Sequence, residues 1–435
     1  MNTHINCSDG KKLYSLLKEL FPVGRSITGN GVRHTLARIK KIIPLKVREV
    51  KTGTRAFDWK VPREWNIRCA YIEDEKGRRV VDYKNNTLHI VGYSVPVDKR
   101  IPLEELQQHL YSLPDQPDAI PYMTSYYEER WGFCLADRVR KKLKKGMYRV
   151  VIDSELKNGS LTYGEYIIPG KTSEEVLLST YICHPSLAND NLSGIAVTSF
   201  LAKWVGCKPR RYTYRFVFIP ETIGALVYLS KNLKTMKKRT IAGYVLSCVG
   251  DGRGYAYLPS RKGDTLSDTI ALHILNHAHP GFKRYSYAER GSDERQYCSP
   301  GIDLPVASLM RSKYGTYPEY HTSLDNLDVV SPDGLQGALD LYKESIELLE
   351  RNDRYRSTCL GEPQLGRRNL YPTLSGDEAN SEAYRDTRQL WQFLAYADGK
   401  NDLIDIAENL GVLASDLYPI VDTLEAAKLI VKCTS

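Results

Sequence analysis

The chain has 435 residues, enough for two to four domains at roughly 100–200 residues each. With 42% hydrophobic and 26% charged residues it has the balance of a globular protein, which excludes a largely disordered chain, a collagen-like repeat and a disulfide-dense mini-protein. The net charge of +9 is moderate, no apolar run approaches the ~18 residues that span a bilayer, and MNTHINCSDGKK lacks the apolar core of a signal peptide, so a cytoplasmic location away from membranes is expected.

In chain order, DGKKLYSLLKELF (9–21) carries apolar positions at helical spacing, and a second helix fits residues 31–43. From 49 to 134, short β-branched and aromatic stretches such as NIRCAYIED, RVVDY and TLHIVGYSV are cut by turns and predict a β-rich insert. RVRKKLKKG (138–146) reads as a solvated helix face or loop rather than a nucleic-acid site. MYRVVIDSEL and TYGEYIIP are expected to be paired strands. Strand–helix alternation then runs through EVLLSTYI, NLSGIAVTSFLAKWV, RYTYRFVFI, the stretch after Glu221, TIAGYVLSCV, LSDTIALHILNHA, LPVASLM and PDGLQGALDLYKESIELLE. Repeated units of this kind predict a mostly parallel sheet covered on both faces by helices. Residues 352–380 lack periodicity and read as a linker or arm. The last 55 residues give three helices and a short strand, a winged-helix module. The expected boundaries are 1–48 for the N-terminal helices, 49–134 for the insert, 135–365 for the main α/β domain, 366–380 for the linker and 381–435 for the winged helix.

The nine cysteines stand singly, with no CxxC pair, and read as reduced thiols. Thirty tyrosines against eight phenylalanines admit two readings, a wet aromatic-lined pocket or half-exposed core rings.

Ligands of an open α/β sheet bind beyond the carboxyl ends of its strands. After EVLLSTYI stand His184 and Asp190, after RYTYRFVFI Glu221, after TIAGYVLSCV Asp251 with Cys248 just inside the strand, and beyond LPVASLM come Glu319, His321, Asp325 and Asp328. Imidazole plus carboxylate is the ligand set of zinc in hydrolases, with about three protein ligands and one open position. His184, Asp190 and His321 fit that role, and Glu221 fits the carboxylate that takes a proton from water. Each has a plainer reading too: Asp190 as a helix cap, His184 as a strand-end residue, His321 as a loop hydrogen bond, Glu221 as a cap or salt bridge. The weight lies in four of them at the ends of separate strands. A rival set, His273 and His277 with His279, lacks the glutamate of an HExxH motif, since position 274 is isoleucine. His273 and His277 therefore read as the end of an ordinary surface helix.

ICHPSLANDNLSG, FIPETIGA, GSDERQYCSPGIDLP and YHTSLDNLD, in this order, resemble the co-catalytic zinc aminopeptidases related to bacterial leucyl aminopeptidase and glutaminyl cyclase, over roughly residues 170–350. The whole layout is similar to a divergent branch of aminopeptidase-like proteins often associated with polysaccharide-biosynthesis genes. The resemblance implies an α/β fold: a zinc-aminopeptidase-like mixed, mostly parallel sheet flanked by helices, with an inserted small β-rich domain and a C-terminal winged helix. It implies a zinc-dependent hydrolase, a metallopeptidase relative, acting on an amide bond of a peptide or of an aminoacyl or acylamino sugar precursor. Carried over by residue, His184 is the first metal histidine, Asp190 the bridging aspartate, His321 the last histidine and Glu221 the general base. Thr222 stands where a second, metal-binding glutamate is expected, and Cys248 stands near an expected aspartate. One zinc per chain is therefore expected, and Asp251 or Cys248 would complete a pair. Asp293, Glu294, Arg295, Arg311 and Tyr320, with Tyr314 and Tyr317, flank the site as candidate substrate contacts. The alternative is a catalytically inactive aminopeptidase-like adaptor or scaffold.

Residues 381–435 hold five Lys and Arg against nine Asp and Glu, a net of −4. Because DNA affinity needs cations that replace phosphate counterions, the winged helix is expected to serve protein or intramolecular contact rather than nucleic acid. A homo-oligomer is compatible with the sequence.

Overall fold

A computed structural model describes residues 8–370 and 382–433. The chain divides into two units, Met1–Asp268 with Gly281–Asp340 and Thr269–Pro280 with Leu341–Ser435.

In the first unit, α1 (Ser8–Leu20) and α2 (Asn30–Ile39) bury Leu13, Leu16, Leu17 and Leu20, and Val32, Leu36 and Ile39, at the spacing of one helical face. The unit's two larger sheets are built from β1 (Lys46–Lys51), β2 (Glu64–Glu73), β3 (Arg79–Asp82), β4 (Val97–Pro102), β5 (Met147–Lys157), β6 (Ser160–Ile168), β7 (Glu175–Tyr181), β8 (Thr213–Ile219), β9 (Thr240–Val245), β10 (Ala256–Leu258), β11 (Lys283–Arg284) and β12 (Val306–Met310). The main sheet has the order β1-β6-β8-β7-β9-β12-β10-β11. Its centre, β8, β7, β9 and β12, is parallel, and antiparallel pairs extend it on either side. Strand β7 is buried along its whole length, its polar Glu175, Ser179 and Thr180 included, as a strand covered on both faces must be. Helix α3 (Gly194–Val205) joins β7 to β8, and α4 (Ile223–Arg239) crosses from β8 to β9 on the other side of β7. The strand order thus reverses around β7, which opens a crevice at its carboxyl end. Helices α5 (Leu266–Ala278) and α6 (Pro332–Arg351) follow β10 and β12, and from Thr269 and Leu341 onward their residues belong to the second unit.

A second, antiparallel sheet has the order β3-β2-β5-β4. Here the structure departs from the sequence reading. Strands β5 and β6 do not pair with each other: β5 joins β2 and β4, whereas β6 joins β1 and β8. The β-rich sheet therefore runs to Lys157, past the expected limit at 134. Alternating polarity marks a strand, but its partner is set by contacts far along the chain. Glu64, 4% exposed, braces the junction between the sheets. It accepts from Arg33 of α2 at 2.8 Å, from the Asn66 amide at 3.0 Å and from the backbone N–H of Ser160 at 3.0 Å.

In the second unit, β13 (Arg354–Ser357), α7 (Glu382–Tyr396), β14 (Asp398–Asp402), α8 (Leu403–Leu410), α9 (Tyr418–Ala426) and β15 (Ile430–Cys433) build a three-stranded wing, order β14-β13-β15, with its helices. Its central strand comes from the segment read as lying before the linker, so the module starts near 353 rather than 381. DGKND forms β14, a strand of the module beyond the single short one expected. Most of the linker expected at 366–380 lies outside the described residues. His273 is also corrected: it is 2% exposed, not on a surface. Its Nδ1 lies 2.6 Å from Glu408 Oε1, and its Nε2 accepts the N–H of Ala414 at 2.9 Å. Both ring nitrogens are engaged, so His273 ties α5 to α8 as a neutral imidazole, and burial lowers its pKa accordingly. Among the described residues no helix is long and apolar enough to cross a membrane.

Arg33 above all, working against burial, holds the Glu64 carboxyl down at about 2. The unfolded value is about 4.3, so this stabilisation is complete above that pH and is lost as pH falls towards 2. Glu64→Gln should cost about 2–3 kcal/mol in urea unfolding at pH 7, and the difference from the parent should shrink steadily as pH drops from about 4 to 2.

Candidate active site

Three loops after parallel strands meet in the crevice. His184 leaves the end of β7, 5% exposed, with its backbone oxygen accepting from Arg25 Nε at 2.9 Å. Its Nε2 points at Asp190 Oδ2 (3.9 Å) and Glu221 Oε2 (3.8 Å), and its Nδ1 lies 3.5 Å from Cys183 Sγ. Asp190 is fully buried in the turn before α3, and Tyr181 donates its O–H to Asp190 Oδ1. His321 comes from the long loop after β12, and its Nε2 lies 3.0 Å from Asp190 Oδ2. One ligand atom each from His184, Asp190 and His321 thus lies within 4.8 Å of the others.

Two of these atoms, Asp190 Oδ2 and His321 Nε2, are buried and make no hydrogen bond. Such orphaned acceptors are costly unless something electropositive fills the space between them. Burial pushes His184 down to about 4, so its imidazole is neutral and its lone pair is available. For Asp190, burial pulls upward, but His184 and His321 outweigh it and the carboxylate is held at about 2. Two imidazoles, that of His184 neutral, and an ionised carboxylate form a donor set that fits a divalent cation such as zinc.

Glu221 follows β8. Its N–H donates to Cys183 Sγ at 3.2 Å, which ties it to the neighbouring strand end. Burial, then Asp293 and Asp190, push its carboxyl well above the ordinary range. Thr222 adopts φ +62°, a strained region for a β-branched residue. It is pinned there by Asp293 Oδ1, which accepts its N–H at 2.8 Å, and by Arg295 Nη2, which donates to its Oγ1 at 2.7 Å. Asp293 Oδ2 and Arg295 Nε are buried with no hydrogen bond. Glu294 instead faces its own loop, accepting from the N–H groups of Gly291 and Ser292 at 2.9 and 3.0 Å and from the Tyr314 hydroxyl.

Neither residue named to complete a paired centre joins the group. Asp251 is turned away: Asn189 Nδ2 donates to its Oδ2 at 3.0 Å and the N–H of Arg253 to its Oδ1 at 2.8 Å. Cys248 is a buried thiol 3.7 Å from the Tyr317 hydroxyl, and burial raises its pKa far above the usual value. Arg311 donates from Nε to the Asp251 carbonyl at 2.9 Å and stacks over Tyr255, on the far side of that loop. Tyr320 lies flat on the His321 ring, centroids 3.9 Å apart.

Two residues matter that sequence reasoning left without a role. Asp325 accepts the N–H groups of Asn189 (2.7 Å) and Asp190 (2.9 Å) and so fixes the turn that presents Asp190. The signal was its place in HTSLD, which names the residue but not its partners. Tyr122, from the β-rich insert, sets its ring edge-on to His321 at 5.0 Å, and its N–H donates to the His321 carbonyl at 2.8 Å. Nothing local in its sequence marks it.

Residues 14–352 match the family described as "Domain of unknown function (DUF4910)", and residues 353–432 match a winged helix-turn-helix family. A Clostridium acetobutylicum protein, provisionally named a polysaccharide biosynthesis protein with aminopeptidase-like domain, is 46% identical over 424 residues, 97% of this chain and 96% of that protein. A crystal structure from C. acetobutylicum, provisionally called a peptidase, has a TM-score of 0.92 at 45% identity and covers 99% of both chains. BSAP, a zinc aminopeptidase from Bacillus subtilis, has a TM-score of 0.56 at 14% identity over 78% of this chain and 95% of that one, a likeness of fold alone. The chain belongs to the DUF4910 family, an aminopeptidase-like α/β fold followed by a C-terminal winged helix.

Proposed function

We propose that the protein is a hydrolase with one zinc per chain that cleaves an amide bond, with an aminoacyl or acylamino sugar precursor as its substrate class. The observation that carries this reading is the orphaned pair Asp190 Oδ2 and His321 Nε2 beside His184 Nε2. Zinc held by these three side chains would supply a Lewis acid that polarises a carbonyl and acidifies water. The rest falls to the chain. Tyr181 and Cys183 orient Asp190 and His184. Glu221, 3.8 Å from His184 Nε2 and with a raised pKa, takes a proton from the attacking water and returns it to the departing nitrogen. Asp293 Oδ2 offers an acceptor for a substrate amine, and Arg295 Nε a donor for a carbonyl or anion. Thr222 has no carboxylate to give and Asp251 is already engaged, which favours one metal over two. The name of the C. acetobutylicum relative supports the sugar-linked substrate class, and the acidic winged helix serves protein or intramolecular contact.

Elemental analysis of protein purified without chelators should find one zinc per chain, lost in both His184→Ala and His321→Ala. Glu221→Gln should keep its zinc while kcat falls roughly 100- to 10,000-fold. Two zincs would mean that Asp251 or Cys248 swings in, and none after zinc is added back would leave the adaptor reading. Asp325→Ala, which frees the turn carrying Asp190, should weaken zinc binding roughly 10- to 100-fold in a competition titration. In gel-shift assays at physiological salt the full chain should leave duplex DNA unshifted, and a sharp, salt-sensitive shift would overturn the assignment of the winged helix.

A further inference from the structure

We propose that a cavity walled by the loop before His321 binds the anionic group, phosphate or carboxylate, of a monosaccharide-sized ligand. The cavity has a volume of about 280 Å³, and Arg253, Lys283, Arg311 and Lys313 line it together with Tyr285 and Tyr317. That volume lies just below the range of small-molecule pockets, the scale of one sugar ring rather than of a polymer.

The charge is unbalanced. Arg253 is neutralised by Glu319, at 2.7 and 3.0 Å. Among the described residues, Lys283, Arg311 and Lys313 have no ion-pair partner. Lys313 is the telling one, because it is only 7% exposed. Its ammonium, with three protons to donate, makes one hydrogen bond, to the Tyr314 carbonyl at 3.2 Å. It also lies over the rings of Tyr314 and Tyr285, with centroids at 4.5 and 5.3 Å. Ring faces offset part of the cost of burying a cation, but they leave its donors unused. Arg311 is preorganised in the same wall, stacked 4.1 Å from the Tyr255 centroid and tied by Nε to the Asp251 carbonyl. A planar guanidinium beside an ammonium on aromatic walls suits an anion carried on a ring.

One loop walls both this cavity and the catalytic crevice. Tyr317 faces the cavity while its hydroxyl donates to Asp325 Oδ2 at 3.1 Å, and Tyr320, three residues on, stacks on His321. The sugar part of the proposal rests on the substrate class above; the anion part does not.

Calorimetric titration of Glu221→Gln protein, in which any turnover is slowed roughly 100- to 10,000-fold, separates binding from hydrolysis. The probes are N-acetylglucosamine 1-phosphate, glucuronate, neutral N-acetylglucosamine and inorganic phosphate. An anionic sugar should bind at least about tenfold more tightly than the neutral one, with affinity falling as salt rises. The arm that binds, phosphate or carboxylate, identifies the anion. Lys313→Met and Lys283→Gln, each added to that protein, should weaken it about tenfold or more. Lys283 is exposed, so its variant remains informative even if Lys313→Met does not fold. Equal affinity for neutral and anionic sugars, no binding of any anion, or binding untouched by the lysine variants would overturn the proposal. If inorganic phosphate binds as tightly as the sugar phosphate, the anion site stands and the sugar is refuted.

Discussion

The candidate site depends on one buried carboxylate that accepts two successive backbone N–H groups. Asp325 takes those of Asn189 and Asp190, and its own carbonyl takes that of Ala188 at 2.9 Å. This fastens the turn after β7 to the loop after β12, and with it Asp190 to His321. Asn189 extends the tie to a third strand end, its Oδ1 accepting from Gly250 at 2.8 Å and its Nδ2 donating to Asp251. Two candidate ligands more than a hundred residues apart are thereby held face to face, with fixed backbone dipoles fastening the turn that carries one of them. Burial drives the Asp325 carboxyl up to about 7 although the amides pull it down, so the tie is made at an electrostatic cost. Such costs persist only where the surrounding structure holds the group firmly.

The same economy shows in the backbone. Thr222, Cys248 and His321 all have φ between +52° and +62°, each in the connection that follows a different parallel strand. None is glycine, and each costs of the order of 1–3 kcal/mol. At Thr222 the strain turns the chain so that Asp293 and Arg295 grip it, where a second carboxylate ligand would stand in a paired centre. The surrounding charges are lopsided. Asp190, Asp293 and Glu294 are fully buried and Glu221 lies among them, whereas the nearby fixed cations are Arg295 and Arg25. Arg25, pushed down to about 10 by burial, spends its hydrogen bonds on the carbonyls of His184 and Leu20. A crevice so short of positive charge would suit the divalent cation and the cationic substrate group proposed for it.

The central sheet was legible because strands buried on both faces must be continuously apolar and the helices between them amphipathic. The ends of those strands were legible for the same reason: the first polar residues after an apolar run have little choice but to face the crevice. Pairing was not legible. β5 reads like the first arm of a hairpin with β6, yet the bonds of Glu64 to Arg33 and Ser160 mark a boundary between two sheets. The central wing strand β13 is four residues long and lies in a stretch without periodicity. At the site, spacing placed Asp251 at a strand end but could not show that Asn189 would occupy its carboxylate. Tyr122 and His273 were hidden because their roles depend on surfaces brought to them from elsewhere in the fold.

The tyrosine excess is resolved by the same carboxylates. Eight of the largest fully buried side chains are tyrosines, so they are not half-exposed rings. Three of these hydroxyls, with those of the buried Tyr314 and Tyr317, are spent on acids: Tyr181 on Asp190, Tyr228 on Glu165, Tyr257 on Asp268, Tyr314 on Glu294 and Tyr317 on Asp325. A phenylalanine in place of Tyr181 would fill the volume and leave Asp190 Oδ1 without its donor, a loss of about 1–3 kcal/mol. A lysine would satisfy the acceptor but cancel the negative charge that the crevice concentrates. The phenol does neither, because burial raises the pKa of Tyr181 and Tyr317 well above the ordinary value and keeps the proton on oxygen. The fold thus keeps several carboxyl groups inside it, each hydrogen-bonded by a donor that brings no charge of its own.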